Sequence, residues 1–211
     1  MVAVLAPAIR VKQLGSVDYL AALEAMRKFT AQRNDVTSDE LWLLEHPPVY
    51  TLGLGADTTH GPRGDTGIPV VRVERGGEIT YHGPGQIVLY TLVDLARRAL
   101  KVRAFVAMLE QSVIDLLAEH GVNAVRRPGA PGVYVDGGAK IAALGIRVAR
   151  GCAFHGLALN VDLDLTPFGA IDPCGYPGLA TTCMRDLGVA GTPRELGARL
   201  AQILAARLDD A

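Results

Sequence analysis

Three short apolar segments near the middle of the chain follow one another with almost no connecting sequence. They are GVYVD (132–136), KIAALGIRVA (140–149) and FHGLALNVDL (154–163), and they are joined by DGG and RGC. Connections this short cannot carry a crossover, so consecutive strands have to pair in the antiparallel direction. The sequence therefore predicts an antiparallel sheet at the centre of the fold.

Helical spacing of apolar residues marks three further segments. The first begins near Ser16, a suitable N-cap, and carries Leu20, Leu23, Met26 and Phe29. The second covers residues 105–117 and ends at Gly121. The third opens with Thr192, Pro193 and Glu195, which is the pattern of a capping box with proline in the first turn. Three helices are therefore expected.

Additional β-rich runs lie between the first two predicted helices: LWLLEH (41–46), IPVVRVER (68–75) and QIVLYTLVDL (86–95). Together with the central segments they predict an α+β fold, in which helices flank a mixed, largely antiparallel sheet. A length of 211 residues and the lack of an internal boundary predict one domain over residues 1–211.

Charge and cysteine content limit the possible partners and compartment. Lys plus Arg (21) nearly cancels Asp plus Glu (22), so neither nucleic acid nor a membrane surface is an expected partner. Three cysteines without paired spacing, and no apolar run long enough to span a bilayer, predict a cytoplasmic protein. The histidines and cysteines show no metal-ligand spacing, so no metal is expected.

A glycine-rich stretch, RGGEITYHGPGQ (75–86), separates two predicted strands. Glycine lets backbone approach a ligand closely, but such a stretch can also be an ordinary turn. It matches neither a Walker A loop nor a dinucleotide fingerprint. Its His82 is either a structural histidine or part of the lining of a site, and the sequence leaves both readings open.

Cys174 and Lys140 are the residues best suited to covalent chemistry. Cys174 lies in the loop sequence IDPCGYPG, whereas Cys152 and Cys183 are expected to be buried in the core. A thiolate needs a cation or base nearby, and Lys140, His82 and His155 are the candidates. A lysine at the head of an apolar run either extends its charge to water or is held partly desolvated, where it can exchange a proton.

Four motifs together carry a resemblance to a known family. RGGEITYHGPGQ, GGAKIAALGIRV, FHGLALNV and PCG, in this order, resemble the octanoyltransferases of lipoate biosynthesis over roughly residues 40–187. Members of this family transfer an octanoyl group from octanoyl-acyl carrier protein to a lysine of a lipoyl domain, without a cofactor. The resemblance implies the α+β fold of lipoate and biotin protein ligase catalytic domains. It also implies, as acceptors, the lipoyl domains of 2-oxoacid dehydrogenase complexes and the glycine cleavage H protein.

The same resemblance implies roles for individual residues. Cys174 would be the nucleophile that carries an acyl thioester, and Lys140 would lower the pKa of that thiol. Where relatives often carry a serine, this chain has Ala143, which puts a hydroxyl contact there in doubt. The residues implied to line the acyl pocket are Arg75, Gly76, Gly77, Glu78, Ile79, Thr80, Tyr81, His82, Ala143, Leu144, Gly145, Gly156, Leu157 and Ala158.

Other functions remain open at this point. An ATP-dependent lipoate ligase on the same fold would not need Cys174, and a papain-like hydrolase would pair Cys174 with His82 or His155. A non-catalytic acyl-binding module would need neither Cys174 nor Lys140. If an acidic carrier protein is the donor, the basic segment ARRALKVR (96–103) is a candidate docking surface, although most charge runs of this kind are ordinary solvated faces.

Overall fold

The computed structural model describes residues 8–57, 61–173, 176 and 178–210. A seven-stranded sheet in the order β1-β2-β6-β10-β9-β8-β7 forms its centre, and a three-stranded sheet in the order β4-β3-β5 lies beside it. The helices are α1 (Tyr19–Gln32), α2 (Val102–Glu119) and α3 (Pro193–Asp209). The strands are β1 (Arg10–Ser16), β2 (Glu40–Glu45), β3 (Val49–Leu52), β4 (Val70–Arg72), β5 (Ile79–His82), β6 (Gln86–Asp94), β7 (Ala124–Arg127), β8 (Ala130–Val135), β9 (Lys140–Ala149) and β10 (Cys152–Asn160).

The two faces of the large sheet bury two different hydrophobic clusters, because successive side chains of a strand point to opposite faces. On one face, Leu41 and Leu43 of β2 pack with the apolar sides of α2 and α3. On the other face, Trp42 and Leu44 pack with α1. Both faces of the sheet are thus covered by helices, which explains why β6 is buried almost throughout.

The central strands pair as the short connections predict. β9 pairs antiparallel with both β8 and β10, and β10 pairs antiparallel with β6. The α+β class with a largely antiparallel sheet is confirmed. The capping box of α3 is confirmed as well: Thr192 Oγ1 accepts a hydrogen bond from the Glu195 N–H at 3.2 Å, and Glu195 Oε2 accepts one from the Thr192 N–H at 3.0 Å.

The start of α1 differs from the expectation. Ser16 ends β1, and the N-cap is Asp18, whose carboxylate accepts a hydrogen bond from the Ala21 N–H at 3.0 Å. The buried face also differs: Tyr19 is buried and Leu20 is 57% exposed. A serine followed by Val17 and Asp18 offers two capping residues, and the choice between them depends on where β1 ends.

The other differences concern strands that the sequence does not predict. The run at 68–75 contains only the three-residue β4, while β1, β3, β5 and β7 have no counterpart among the predicted strands. β5 lies inside the glycine-rich stretch, where its residues Ile79–His82 pair antiparallel with β3. The four residues of β3, β5 and β7 are too few to show a period, and the seven residues of β1 are all exposed, so β1 has no buried face to mark it. No helix in the described part of the chain is long and apolar enough to cross a membrane.

Candidate active site

A largely apolar cavity of about 360 Å³ lies along β9 and β10. Its floor consists of small residues that face each other across the two strands: Ala143 pairs with Ala158, and Gly145 pairs with Gly156. The small side chains of Ala143 and Ala158 leave room above the sheet and so contribute to a slot. The glycine-rich segment 75–78 forms one wall of this slot.

Backbone of the segment 75–78 crosses directly over β9. The Gly76 N–H donates a hydrogen bond to the Ile146 carbonyl at 3.0 Å. A Cβ atom added at Gly145 would lie 2.5 Å from the Gly76 oxygen, and one added at Gly53 would lie 2.2 Å from the Gly77 oxygen. These glycines therefore permit backbone to lie against backbone, which is a different role from leaving open space for a ligand.

Buried Arg75 holds this crossing segment in place. One terminal nitrogen donates hydrogen bonds to the backbone carbonyl and to Oγ1 of Thr51, both at 2.8 Å, and the other donates to the Gly76 carbonyl at 3.0 Å. The guanidinium group thus connects the small sheet to the wall of the cavity. A fixed, charged hydrogen-bonding group of this kind keeps a glycine-rich segment ordered.

Nearly all the residues expected to line an acyl pocket lie on this cavity. They are Arg75, Gly76, Gly77, Glu78, Ile79, Thr80, His82, Ala143, Leu144, Gly145, Gly156, Leu157 and Ala158. Tyr81 does not line it, because its ring packs against Tyr50 and Phe168 in the core of the small sheet.

Sequence reasoning missed several residues that line the cavity, among them Tyr19, Val88, Tyr90, Ile146, Ala130 and Tyr176. They come from α1, β6, β9, the tip of the β7–β8 hairpin and the loop after residue 173. Tyr90 and Val88 belong to β6, an apolar strand whose sequence is typical of the hydrophobic core. No local signal distinguishes them from other buried residues, since their place on the cavity follows from strand order.

Lys140 is the first residue of β9 and is only 4% exposed. Its Nζ donates a hydrogen bond to the Pro131 carbonyl at 2.9 Å and lies 5.4 Å from the centre of the Tyr134 ring. Gly132 makes room for it, because a Cβ at this glycine would lie 2.5 Å from Lys140 Cε. The ammonium group is therefore held inside the protein by a carbonyl and an aromatic face, and it does not extend to solvent.

The neighbourhood of Lys140 adjoins the main cavity. Lys140 lines a small second cavity together with Pro173 and Thr181, and this space shares Thr80 and Ala143 with the larger slot. Cys174 itself lies outside the described residues. Pro173, which precedes it in the sequence, faces the Lys140 cavity, and Tyr176, two residues after it, faces the main slot.

The other cysteines are buried as expected. Cys152 is 7% exposed and Cys183 is fully buried. Burial raises the pKa of the Cys152 thiol, and burial likewise raises the pKa of the Cys183 thiol. Both side chains remain thiols at neutral pH and are poor nucleophiles.

A chain of buried amides fixes the tautomer of His82. Asn160 donates from Nδ2 to the Thr182 carbonyl at 3.0 Å, so its oxygen accepts from Gln86 Nε2 at 2.9 Å. Gln86 then presents Oε1 to His82 Nδ1 at 2.7 Å, which requires the proton on Nδ1. His82 Nε2 is left as an acceptor, weakly hydrogen-bonded to the Thr51 hydroxyl at 3.4 Å.

Burial keeps both histidines of the site neutral. Burial, followed by the nearby His46 ring, lowers the pKa of His82 to about 3. Burial also lowers the pKa of His155 to about 4, although the Glu74 carboxylate opposes this shift. Neither imidazole binds a proton readily near neutral pH, which makes both of them weak general bases.

The expected docking surface at 96–103 is wrong for Arg97 and Arg98. Both bind the fully buried Asp39, Arg97 at 2.8 Å and Arg98 at 2.7 Å, and Arg33 binds the same carboxylate. The Arg98 side chain is 5% exposed. Arginines that neutralise a buried carboxylate do not present their charge to a partner. No local sequence pattern indicates that Asp39 lies beside them.

Within the ranges that the structure covers, no group of three or more His, Cys, Asp or Glu side chains has the arrangement of a metal site.

Sequence comparison finds close relatives along most of the chain. Residues 18–203 match the family described as "Lipoyl protein ligase A/B catalytic domain". An octanoyltransferase of Azoarcus sp. (strain BH72) is 62% identical over 194 residues, which cover 92% of this chain and 85% of the relative. An octanoyltransferase of Dechloromonas aromatica (strain RCB) is 56% identical over 199 residues, covering 94% and 96%.

Solved structures with the same fold are far more distant in sequence. Lipoate-protein ligase A bound with ATP is 15% identical with a TM-score of 0.75, over 96% of this chain and 94% of that one. A bi-partite lipoate protein ligase from Thermoplasma acidophilum is 17% identical with a TM-score of 0.74, over 96% and 92%. A biotin protein ligase from Aquifex aeolicus has a TM-score of 0.56 at 10% identity, over 95% and 69%.

Proposed function

The chain belongs to the family of lipoyl protein ligase A/B catalytic domains, and we propose that it is a cytoplasmic octanoyltransferase of lipoate biosynthesis that works through Cys174. The octanoyl group comes from octanoyl-acyl carrier protein. It is passed to a lysine of a lipoyl domain, in 2-oxoacid dehydrogenase complexes or in the glycine cleavage H protein. The similarity to octanoyltransferases at 62% and 56% identity supports this activity.

One structural observation carries the proposal: an apolar slot adjoins the cavity of a buried lysine, and the loop containing Cys174 contacts both spaces. Pro173 lines the Lys140 cavity, and Tyr176 lines the slot. An octanoyl chain has no polar group beyond its carbonyl, so a slot lined by Ala143, Leu144 and Ala158 suits it. Burial of each methylene group contributes about 0.8 kcal/mol to binding. The carbonyl then lies at the end of the slot nearest Lys140.

The proposed reaction has two acyl transfers. The Cys174 thiolate attacks the carrier thioester, and Lys140 gives a proton to the departing carrier thiolate, which leaves an acyl-Cys174 thioester. The amine of the acceptor lysine then attacks this thioester, and Lys140 takes the proton that the amine loses. Cys174 departs as a thiolate, so the site returns to its first protonation state, and neither ATP nor a metal takes part.

The fixed position of Lys140 supports this role. Its ammonium group is buried against the Pro131 carbonyl and the Tyr134 ring, where a cation acts on a nearby thiolate more strongly than it would in water. A hydrolase that uses His82 or His155 as its base is less consistent with the site. Burial lowers the pKa of these rings to about 3 and about 4, respectively.

Transfer without ATP is the test of the proposed function. Purified protein, octanoyl-acyl carrier protein and an unmodified lipoyl domain should yield the octanoylated domain, detected by its intact mass, in a mixture free of nucleotide. An ATP-dependent ligase would instead need free octanoic acid and ATP, and a hydrolase would release free acid with no acceptor present. Either of those outcomes would replace the proposal.

Replacing Lys140 by methionine should slow transfer by roughly 100-fold or more, because the step loses its proton donor and acceptor. Methionine preserves the length of the side chain in its narrow space beside Gly132. The fraction of Cys174 present as thiolate should also fall, so iodoacetamide should alkylate it more slowly at neutral pH.

Lys140→Arg is the matched control for charge, since arginine stays positive but does not release a proton. It should not restore transfer. If wild-type protein and Lys140→Met are alkylated at the same rate at neutral and mildly alkaline pH, Lys140 does not act on the thiol.

A further inference from the structure

His155 is a buried polar side chain on an otherwise apolar slot. It is 1% exposed, it lines the cavity, and neither ring nitrogen has a hydrogen-bond partner among the residues that the structure describes. Buried polar atoms are nearly always paired, so an imidazole with both nitrogens unpaired needs an explanation. The reaction proposed above gives His155 no role.

The backbone at His155 is held in a conformation that side chains rarely adopt. Its φ is +63°, in the left-handed region, although it lies within strand β10. The Thr91 hydroxyl donates a hydrogen bond to its carbonyl at 3.0 Å and holds this bend. Strain of this kind at a residue other than glycine is concentrated at functional sites, because surrounding structure must maintain it.

The surroundings of the ring leave it neutral and fixed. It stacks on Phe154 with ring centres 5.0 Å apart and meets the edge of Tyr90 at 6.1 Å. The charged groups nearest to it are Glu74, Arg75 and Arg27, and the net effect of burial and these charges is a pKa of about 4. A neutral imidazole offers one N–H donor and one acceptor nitrogen.

The distance along the strands places His155 at the far end of an octanoyl chain. His155 pairs with Ile146, three residues beyond the pair formed by Ala143 and Ala158. Because a strand advances about 3.3 Å per residue, the two levels are about 10 Å apart. This is about the length of an extended eight-carbon chain. If the carbonyl lies beside Ala143, which lines both the slot and the Lys140 cavity, the terminal carbon reaches the level of the imidazole.

We propose that His155 forms a hydrogen-bonding subsite at the far end of the slot, so that the slot accepts eight-carbon acyl chains with a hydroxyl group on the terminal carbon. The inference rests on the proposed function for the direction in which the chain lies. A hydroxyl at this point can accept a hydrogen bond from the ring N–H or donate one to the acceptor nitrogen. Either contact replaces a hydrogen bond that the hydroxyl loses when it leaves water.

The test compares octanoyl and 8-hydroxyoctanoyl thioesters of N-acetylcysteamine as donors, with a lipoyl domain as acceptor. The measured quantity is the ratio of kcat/KM for the hydroxylated donor to kcat/KM for octanoyl. In wild-type protein this ratio should lie within about threefold of one, since the lost hydration is replaced. In His155→Phe, which preserves the ring but has no polar atom, the ratio should fall at least about tenfold.

His155→Asn is the matched control, because asparagine tolerates the left-handed region and retains a donor and an acceptor. It should recover most of the ratio. His155→Gly serves if the phenylalanine variant does not fold, since glycine adopts a positive φ without strain and also lacks polar side-chain atoms. Because each ratio is normalised to octanoyl transfer, a general loss of activity does not alter it.

Two failures are distinguishable. If wild-type protein transfers octanoyl but its ratio is as low as that of His155→Phe, the subsite does not exist and the octanoyltransferase proposal stands. If wild-type protein transfers neither donor, the proposed function fails. In that case thermal unfolding is measured with 8-hydroxyoctanoate and with octanoate, and the increase in Tm from the first is divided by the increase from the second. If this ratio is the same in wild-type protein and in His155→Phe, the subsite does not exist.

Discussion

Cys174→Ser is expected to lose octanoyl transfer by at least about 1,000-fold, because an alcohol ionises far less readily than a thiol and is a much weaker nucleophile at neutral pH. Wild-type protein mixed with octanoyl-acyl carrier protein should gain the mass of one octanoyl group, and the variant should gain none. The measurements are the rate of lipoyl-domain modification and the intact mass of the enzyme before the acceptor is added.

Cys152→Ser is the control for the loss of a thiol. Cys152 is buried, and burial raises the pKa of its thiol, so it is a poor nucleophile whose removal should leave most of the transfer rate. Its Sγ already lies 3.7 Å from the Arg150 carbonyl, which can accept a hydrogen bond from the serine hydroxyl. Transfer by Cys174→Ser at the wild-type rate would exclude the acyl-thioester intermediate.

Asp39→Ala is expected to reduce the free energy of unfolding by about 3–5 kcal/mol, the cost of leaving buried charges without their partner. Asp39 is fully buried, and its carboxylate binds Arg33, Arg97 and Arg98 together with the Asp94 N–H. In a protein of this size, such a loss lowers Tm by roughly 6 to 20 °C. Thermal unfolding monitored by circular dichroism measures it.

Two further variants accompany Asp39→Ala: one separates charge from packing at Asp39, and the other is a control at a surface ion pair. Asp39→Asn preserves the shape but not the charge, and it should lose much of the same stability. Glu119→Ala removes a carboxylate that binds Arg199 on the surface, where both side chains are well exposed, and Tm should change little. If Asp39→Ala unfolds at the wild-type temperature, the arginines do not depend on this carboxylate.

The comparison of Asp39 with the capping box of α3 indicates what kind of information a sequence contains. Thr192 and Glu195 are three residues apart, so their reciprocal hydrogen bonds can be read from local spacing. Asp39 and Arg98 are 59 residues apart. No local pattern predicts that they meet. The sequence of 96–103 is typical of an exposed basic face, but in the fold Arg97 and Arg98 bind the buried Asp39 carboxylate.

The slot shows the same division. Gly145 and Gly156 could be assigned to it from the motifs that contain them, and both line the cavity. Their physical role could not be predicted from these motifs, because it depends on contacts with distant segments. A Cβ added at Gly145 would meet the backbone oxygen of Gly76, and one added at Gly156 would meet that of Leu89. The resemblance implies that Tyr81 lines the slot with its neighbours, but in the structure its ring packs into the core of the small sheet against Tyr50 and Phe168.

By itself, the sequence determined the three central antiparallel strands, the α+β class and the cap of α3. These features depend on short-range spacing, connection length and residue type, which are local properties of the chain. Only the tertiary structure decided that Lys140 is buried against Pro131. It also decided that His155 lines the slot with a strained backbone and with no hydrogen-bond partner for its ring among the described residues. Both depend on contacts between strands, whose register and order are set by packing of the whole sheet against its helices.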